Sequence, residues 1–462
     1  TAESTSEAVS TEETAPAAVF HLLGGEMRKA TAEAPLSPLW QDIYGFFDEN
    51  SQWQKHLSLL KQGIGKTAKP ERLSPKTAKA LYGKNIFSSV SRLERFAGCP
   101  FSFFAEYGLK AEERRLYQLN TPDLGSLFHE VLELFSNKLE QDSLPWTSLT
   151  KEETTARIHA AVEDAAPRLG NRILLDSAAN QYLIRRLKRI STRAAWTLVQ
   201  HLQQGDFVPA GYEVGFGAHE ALPPIVIRLQ DGGSLILNGK IDRVDLLDAN
   251  GTRYVKIIDY KSGNKTFHFQ DIYYGLQLQL LVYLDAYLKY YKKTGASFKP
   301  GGVFYFRITD PTLALDEELS AEAIEKILYE KMRMSGLLLQ EDVLIHGLDH
   351  SLAESRSSAI VPVGYTKKGD PTAASNLATE EQYAAILDFV ATRTQEIGDA
   401  MKAGIITPAP YRDGQRTPCS YCSYRSLCRH SYGEAPRWRK LKKIDKADFW
   451  ETITPKQPPE TE

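Results

Sequence analysis

The sequence predicts a mixed α/β fold in which a strand-rich middle is flanked by helical segments. Three observations predict it. Residues 124–204 place apolar side chains at helical spacing, as in LGSLFHEVLELF, where Leu127, Val131, Leu134 and Phe135 share a face. The next hundred residues change period: GYEVGFG, PIVIRLQ, GSLILNGKIDRVDLLD and RYVKIIDYKSG alternate or run apolar between turn residues. A helical stretch over 271–293, a strand over GGVFYFRIT, and helices near 320–340 and 379–403 complete the pattern.

With 462 residues, 42% hydrophobic and 25% charged, the chain can bury one large core or two moderate ones. The 56 Lys and Arg against 58 Asp and Glu leave a net charge of −2, which excludes a broadly basic nucleic-acid coat but permits a local cationic groove. The first twenty residues lack a positive n-region and an apolar h-region, so they do not read as a secretory signal. The absence of an initiator Met suggests a fragment. The most apolar stretch, 275–288, is interrupted by Gln277, Gln279 and Asp285 and is too short and polar to span a bilayer. These features predict a cytoplasmic protein, a compartment in which disulfides are disfavoured.

Residues 1–19, rich in Ser, Thr, Ala and Glu, read as a disordered linker. Residues 20–85 read as helical, the end of a preceding domain, and the basic run RWRKLKKIDK within 433–462 as a solvated tail. KQGIGKT (61–67) imitates a phosphate-binding loop at Gly65, Lys66 and Thr67. It fails at Leu60, where the first glycine of that motif belongs, and the preceding residues look helical where a strand is required.

The chemistry concentrates in NGKIDRVDLLDANGTRYVKIIDYKSG (238–263). DANG between two strand-like runs predicts an antiparallel hairpin. With Asp248 facing Gly251, Asp242 faces Ile257, and Asp259 becomes its diagonal neighbour on the same face. Period two adds Lys261 to that face and turns Ile258 and Tyr260 away. Two carboxylates brought together repel unless a cation or proton intervenes, and hard oxygen ligands suit Mg²⁺ or Mn²⁺. The plainer reading pairs Asp242 with Arg243 or Lys240, and Asp259 with Lys261, as surface ion pairs.

GKIDRVD followed by IIDYKSG resembles the core of the RecB-type PD-(D/E)XK nucleases, whose fold is restriction-endonuclease-like. The G-x-x-x-H-x-x-x-E of that family is matched by Gly125, His129 and Glu133, and its Q-x-x-x-Y by Gln279 and Tyr283. The resemblance implies that His129, Asp242, Asp259 and the main-chain carbonyl of Tyr260 hold Mg²⁺. It implies that Lys261 assists catalysis, with Gln279 and Tyr283 contacting the DNA backbone or supporting the lysine. Gln277 is the second choice for Gln279, and Glu213 in YEVGF has at most a supporting role.

Three of the four cysteines fall within CSYCSYRSLC (419–428), and the fourth is Cys99. Four thiolates suit Zn²⁺ or an iron–sulfur cluster equally by charge and softness. The lack of a second C-x-x-C-like knuckle favours iron–sulfur. SRLERFAGCPFSFFAEYGLK (91–110) and this spacing resemble AddB-type subunits of bacterial helicase-nucleases, in which Cys99, Cys419, Cys422 and Cys428 would hold a structural [4Fe-4S] cluster stapling the domain. That resemblance covers residues 86–432 and implies an AddA-type partner. It further implies a preceding helicase-like part, of which 20–85 is a remnant, and cleavage of the 5′-terminated strand during double-strand-break processing for recombination. A non-catalytic DNA-binding scaffold and a self-standing exonuclease are the competing readings.

Overall fold

The computed structural model describes residues 16–30, 35–64, 72–112, 121–168, 178–313, 318–428, 430 and 438–454. Its helices are α1 (Pro16–Lys29), α2 (Pro38–Glu49), α3 (Gln54–Ile64), α4 (Pro75–Tyr82), α5 (Val90–Gly98), α6 (Pro100–Phe103), α7 (Thr121–Gln141), α8 (Lys151–Ala165), α9 (Ala178–Gln203), α10 (Phe269–Tyr273), α11 (Gln279–Lys293), α12 (Ala321–Lys331), α13 (Asp342–Leu348), α14 (Glu380–Lys402), α15 (Arg425–Cys428) and α16 (Lys446–Ile453). The strands are β1 (Asn85–Ser88), β2 (Val208–Phe216), β3 (Ile225–Arg228), β4 (Ser234–Leu237), β5 (Gly239–Ala249), β6 (Thr252–Lys261), β7 (Phe298–Arg307), β8 (Ser335–Leu339), β9 (Leu377–Ala378), β10 (Tyr411–Arg412) and β11 (Arg439–Lys440).

The chain divides into two compact units. One comprises Thr1–Pro75, Cys99–Ala111 and Ala403–Leu441; the other comprises Lys76–Gly98, Glu112–Lys402 and Lys442–Glu462. In the first, α1, α2 and α3 close on Leu23, Phe47 and Leu57, with Phe20 5.0 Å from both Phe47 and Trp53. Helix α1 begins at Pro16, so residues 16–19 are helical where a linker was expected; Val19 and Phe20 pack against that core. Residues 1–15 lie outside the described residues. Gly65, Lys66 and Thr67 do too, while the stretch before them is helix α3, as the rejection of a phosphate loop requires.

The second unit is built on a mixed six-stranded sheet of order β2-β5-β6-β7-β8-β9, with a smaller sheet β1-β4-β3. β2, β5 and β6 run antiparallel in sequence, and β7 returns parallel to β6 after the crossover through α10 and α11. β6 is buried from Tyr254 through Tyr260, as expected of a central strand covered on both faces.

The β5–β6 hairpin corrects the predicted register. Its turn is Asn250–Gly251, both at positive φ, with Ala249 paired to Thr252 and Asp248 to Arg253. A two-residue turn of this kind matches the strand twist. The pairing therefore slides by two residues: Arg243 pairs with Ile258 in place of Lys256, and the ladder ends there, with Asp242 and Asp259 each one residue beyond this last pair.

Four further expectations change. The run 233–248 is two strands, β4 and β5, in different sheets. The helix expected over 271–293 stops at Tyr273 and restarts at Gln279. Between them the Gln277 side chain accepts from His268 N at 2.8 Å and donates to Thr266 O at 2.7 Å, which fixes the turn and removes Gln277 from the second-choice role. The helix near 320–340 ends at Lys331, and SGLLL forms β8 against β7, because a short apolar run can serve a buried strand as well as a helix. The end of the chain is not simply a solvated tail: Phe449 and Trp450 of α16 are buried, with their rings 5.1 and 5.4 Å from Phe269. Residues 431–437 and 455–462 lie outside the described residues.

Candidate active site

Three neighbouring strands bring their polar side chains into one row. Tyr212 pairs with Arg243 and Val214 with Ile241, so Glu213 on β2 stands opposite Asp242 on β5. Asp242 on β5 and Asp259 on β6 each lie one residue beyond the last pair of that ladder, Arg243 with Ile258, and Asp259 pairs with Tyr305 on β7. Glu213 holds φ at 46°, a left-handed conformation unusual for a residue with a side chain and typical of positions where the surroundings override local preference.

Helix α7 supplies His129 above this row. Gly125 explains the approach: a Cβ there would meet Ser262 Oγ at 3.0 Å, so a larger residue would push the helix away from the end of β6. His129 Nδ1 lies 3.4 Å from Asp242 Oδ2 and 3.9 Å from Glu213 Oε1. One ligand atom each from His129, Glu213 and Asp242 fit within 4.8 Å of one another. Glu133, one turn on from His129, lines the same cleft with Glu213, Ser126 and Ser262.

The Asp259–Lys261 pair of a plain hairpin is present, but the partners such a hairpin would give Asp242 are directed elsewhere. Arg243 Nε and Nη2 donate to Asp245 at 2.6 and 3.1 Å, and Lys256 Nζ reaches the same carboxylate at 2.9 Å, all three groups buried. Lys240 leans toward Glu213 at 3.9 Å. Asp242 instead accepts the main-chain N–H of Tyr260 at 2.6 Å.

Asp259 is fully buried and held from two sides. Lys261 Nζ forms an ion pair with its Oδ2, and Gln279 Nε2 donates to its Oδ1 at 2.7 Å. Lys261 also donates to Gln279 Oε1 at 3.3 Å, so lysine, aspartate and glutamine form a closed triangle. Gln279 Nε2 reaches Tyr283 Oη at 3.2 Å; Tyr283 is buried against Phe216, so it supports this triangle from the core. The start of α11 is itself fixed by Glu94 of α5, whose Oε1 accepts from Leu278 N at 2.8 Å and Gln279 N at 3.0 Å.

The electrostatics are those of an acidic pocket. Burial, reinforced by the charge of Asp242, pushes Asp259 up to about 7 despite the lysine. Burial would lower the His129 imidazole, but hydrogen bonds to Asp242 and Glu213 and the charges of Asp242 and Asp259 carry it up to about 10. A proton on His129 thus offsets part of the negative charge, the role a divalent cation would take over. Two carboxylates and an imidazole, with Asp259 adjacent, match a hard-cation donor set, and the residues fit such an ion.

His129, Asp242, Asp259, Lys261 and Gln279 are therefore brought together as expected. Tyr260 contributes its N–H to Asp242. Glu213 is more central than expected: it is a member of the group around His129. The signal was a lone acidic residue in an otherwise apolar strand, but its place depended on the β2–β5 register.

All four cysteines line a second cavity, within the first unit, together with Ser102, Pro418 and Arg425. None is in a disulfide. Burial and the neighbouring Cys419 and Cys422 push Cys99 up to about 11, and burial with Cys422 and Cys428 raises Cys419. Four cysteines lining one cavity supply the soft thiolate donors that an iron–sulfur cluster takes.

Comparison with known proteins matches residues 88–429 to the PD-(D/E)XK nuclease superfamily and residues 13–63 to the fifth domain of the ATP-dependent helicase/deoxyribonuclease AddB. Similar proteins include the B-type subunit of the ATP-dependent helicase/deoxyribonuclease of Alkaliphilus oremlandii, 40% identical over 95% of this chain and 38% of the relative. The corresponding proteins of Alkaliphilus metalliredigens and Caldanaerobacter subterraneus are 41% and 37% identical, each over 90% of this chain and 36% of the relative. The chain thus spans well under half the length of these relatives. Among the described residues, no helix is long and apolar enough to cross a membrane.

Proposed function

The chain belongs to the PD-(D/E)XK nuclease superfamily, and we propose that it is the Mg²⁺-dependent deoxyribonuclease portion of an AddB-type subunit. This portion works in the cytoplasm with an AddA-type helicase-nuclease on the ends of broken DNA, preparing them for recombination. The observation that carries this reading is the row Glu213, Asp242 and Asp259 beneath His129, with Lys261 clasped by Asp259 and Gln279.

His129, Asp242, Glu213 and Asp259, with the main chain of Tyr260, would hold Mg²⁺. When bound, the ion supplies charge neutralisation at the scissile phosphate and acidifies a bound water. Lys261 presents its ammonium beside the carboxylates, where it stabilises charge developing on the phosphodiester and orients the attacking water. Gln279 holds Lys261 and Asp259 in fixed relation, so neither must be reordered during reaction. Cleavage falls on the 5′-terminated strand, as in the family the chain resembles.

Cys99, Cys419, Cys422 and Cys428 hold a [4Fe-4S] cluster with a structural role. Ligation ties residue 99 to residues 419–428 and so restrains the unfolded chain between them.

The test is Mg²⁺-dependent degradation of linear duplex by the complex of the full subunit with its partner, comparing wild type with Asp242→Ala. Loss of the cleavage assigned to this subunit supports the reading. Unchanged cleavage would favour a DNA-binding scaffold that retains the nuclease fold.

A further inference from the structure

A third cavity, of about 400 Å³, lies between α8, α9 and α12, all within the second unit. It shares none of its lining with the carboxylate cleft. Helix α9 turns one face to it: Arg185, Lys188, Arg189, Thr192, Arg193 and Trp196 recur at three- and four-residue spacing. Lys151 and His159 of α8 line it from another side, and Glu325, Leu328 and Tyr329 of α12 from a third.

The lining is unbalanced in charge. Lys188 pairs with Glu163 at 2.6 Å, Arg189 with Asp310 at 2.8 Å, and Arg193 with Asp310 and Glu325 at 3.5 and 3.7 Å. Lys151 and Arg185 have no carboxylate partner among the described residues. Five cations therefore share three carboxylates, in a protein whose net charge is −2. The Thr192 hydroxyl is buried with no hydrogen-bond partner, an arrangement that calls for a ligand or water. Against these polar groups stand the Trp196 ring and the apolar bodies of Leu328 and Tyr329.

We propose that this cleft binds a nucleotide unit, its phosphate held by Arg185, Arg189 and Lys151 and its base lying against Trp196. A cationic groove with an aromatic platform is how single strands are held without sequence preference, and the volume suits one nucleotide. The same chemistry would take a nucleotide within a strand or a free mononucleotide. The inference is independent of the cleavage chemistry, because it concerns binding at residues outside the carboxylate cleft.

Two titrations of the full chain, both in EDTA so that no cleavage occurs, test it. One follows fluorescence anisotropy of a labelled oligo-dT strand; the other is calorimetry with dTMP. Arg185→Glu and Trp196→Ala are each compared with Arg186→Glu, which changes an exposed arginine that does not line the cleft. Arg185→Glu changes an exposed side chain and leaves the fold intact, so the test survives if Trp196→Ala misfolds. Arg185→Glu is expected to weaken binding about tenfold while Arg186→Glu changes it less than about twofold. Weakening for oligo-dT alone assigns the cleft to a strand, and weakening for dTMP as well assigns it to a mononucleotide; either sustains the proposal. Affinities for both ligands unchanged in Arg185→Glu, or an equal loss in Arg186→Glu, would overturn it.

Discussion

Gln279 Nε2 donates to Asp259 Oδ1 at 2.7 Å while its Oε1 accepts from Lys261, so one amide bridges the acid and the base of the candidate site.

Replacing Gln279 with Ala removes both hydrogen bonds and leaves Asp259 and Lys261 to hold each other. Cleavage is expected to fall about ten- to hundredfold, as for residues that orient a metal site or its ligands. Affinity for DNA in EDTA should stay within about twofold. Single-turnover cleavage beside a binding titration measures both, and a parallel loss of binding would mean that Gln279 contacts the strand directly.

Glu213→Gln keeps the shape of the side chain and removes its charge from the group around His129. Mn²⁺ affinity, followed by the paramagnetic signal of the free ion, is expected to fall about tenfold. The His129 pKa should fall with it, since Glu213 helps raise it. Unchanged Mn²⁺ binding would return Glu213 to a supporting role.

The cysteine cavity predicts a brown protein when purified without oxygen, with iron and sulfide at four each per chain. Cys422→Ala should abolish the colour and lower Tm by several degrees. A colourless protein carrying one zinc ion would overturn the cluster.

His201 gives a pH dependence of its own, outside the carboxylate row. Burial, with help from Lys256 and Arg243, pushes its imidazole down to about 3, and neither ring nitrogen has a hydrogen-bond partner among the described residues. The unfolded chain takes up a proton near its ordinary value of about 6.5 and the folded one does not. His201 therefore costs nothing above that pH, and stability falls as pH drops from about 6.5 toward 3. This one group contributes at most about 1.4 kcal/mol per pH unit. His201→Gln should flatten the urea-derived stability profile over that window, and an unchanged slope would refute the assignment.

The parts of the site that follow strand period were legible in the sequence. Asp259 and Lys261 are two residues apart on one strand, so they share a face whatever the partner strand does. Asp242 was placed on the right face, but its register slid by two because the turn uses only Asn250–Gly251. The central place of Glu213 was not legible, because it depends on pairing between strands about thirty residues apart, which no local pattern encodes. The clustering of Cys419, Cys422 and Cys428 was legible from the scarcity of cysteine, whereas their gathering with Cys99 was implied only by the AddB-type resemblance. The burial of Phe449 and Trp450 was masked by a basic run just before them, whose charge by itself describes a solvated segment.

The central claim, that the Asp259 row cuts DNA, is tested most directly by strand-resolved cleavage. The complex of this subunit with its partner is supplied with Mg²⁺ and duplex labelled on one strand or the other, with the partner's own nuclease disabled. Wild type should degrade the 5′-terminated strand alone, and Asp259→Ala should leave both strands intact while unwinding continues. Continued degradation of that strand by Asp259→Ala would contradict the account.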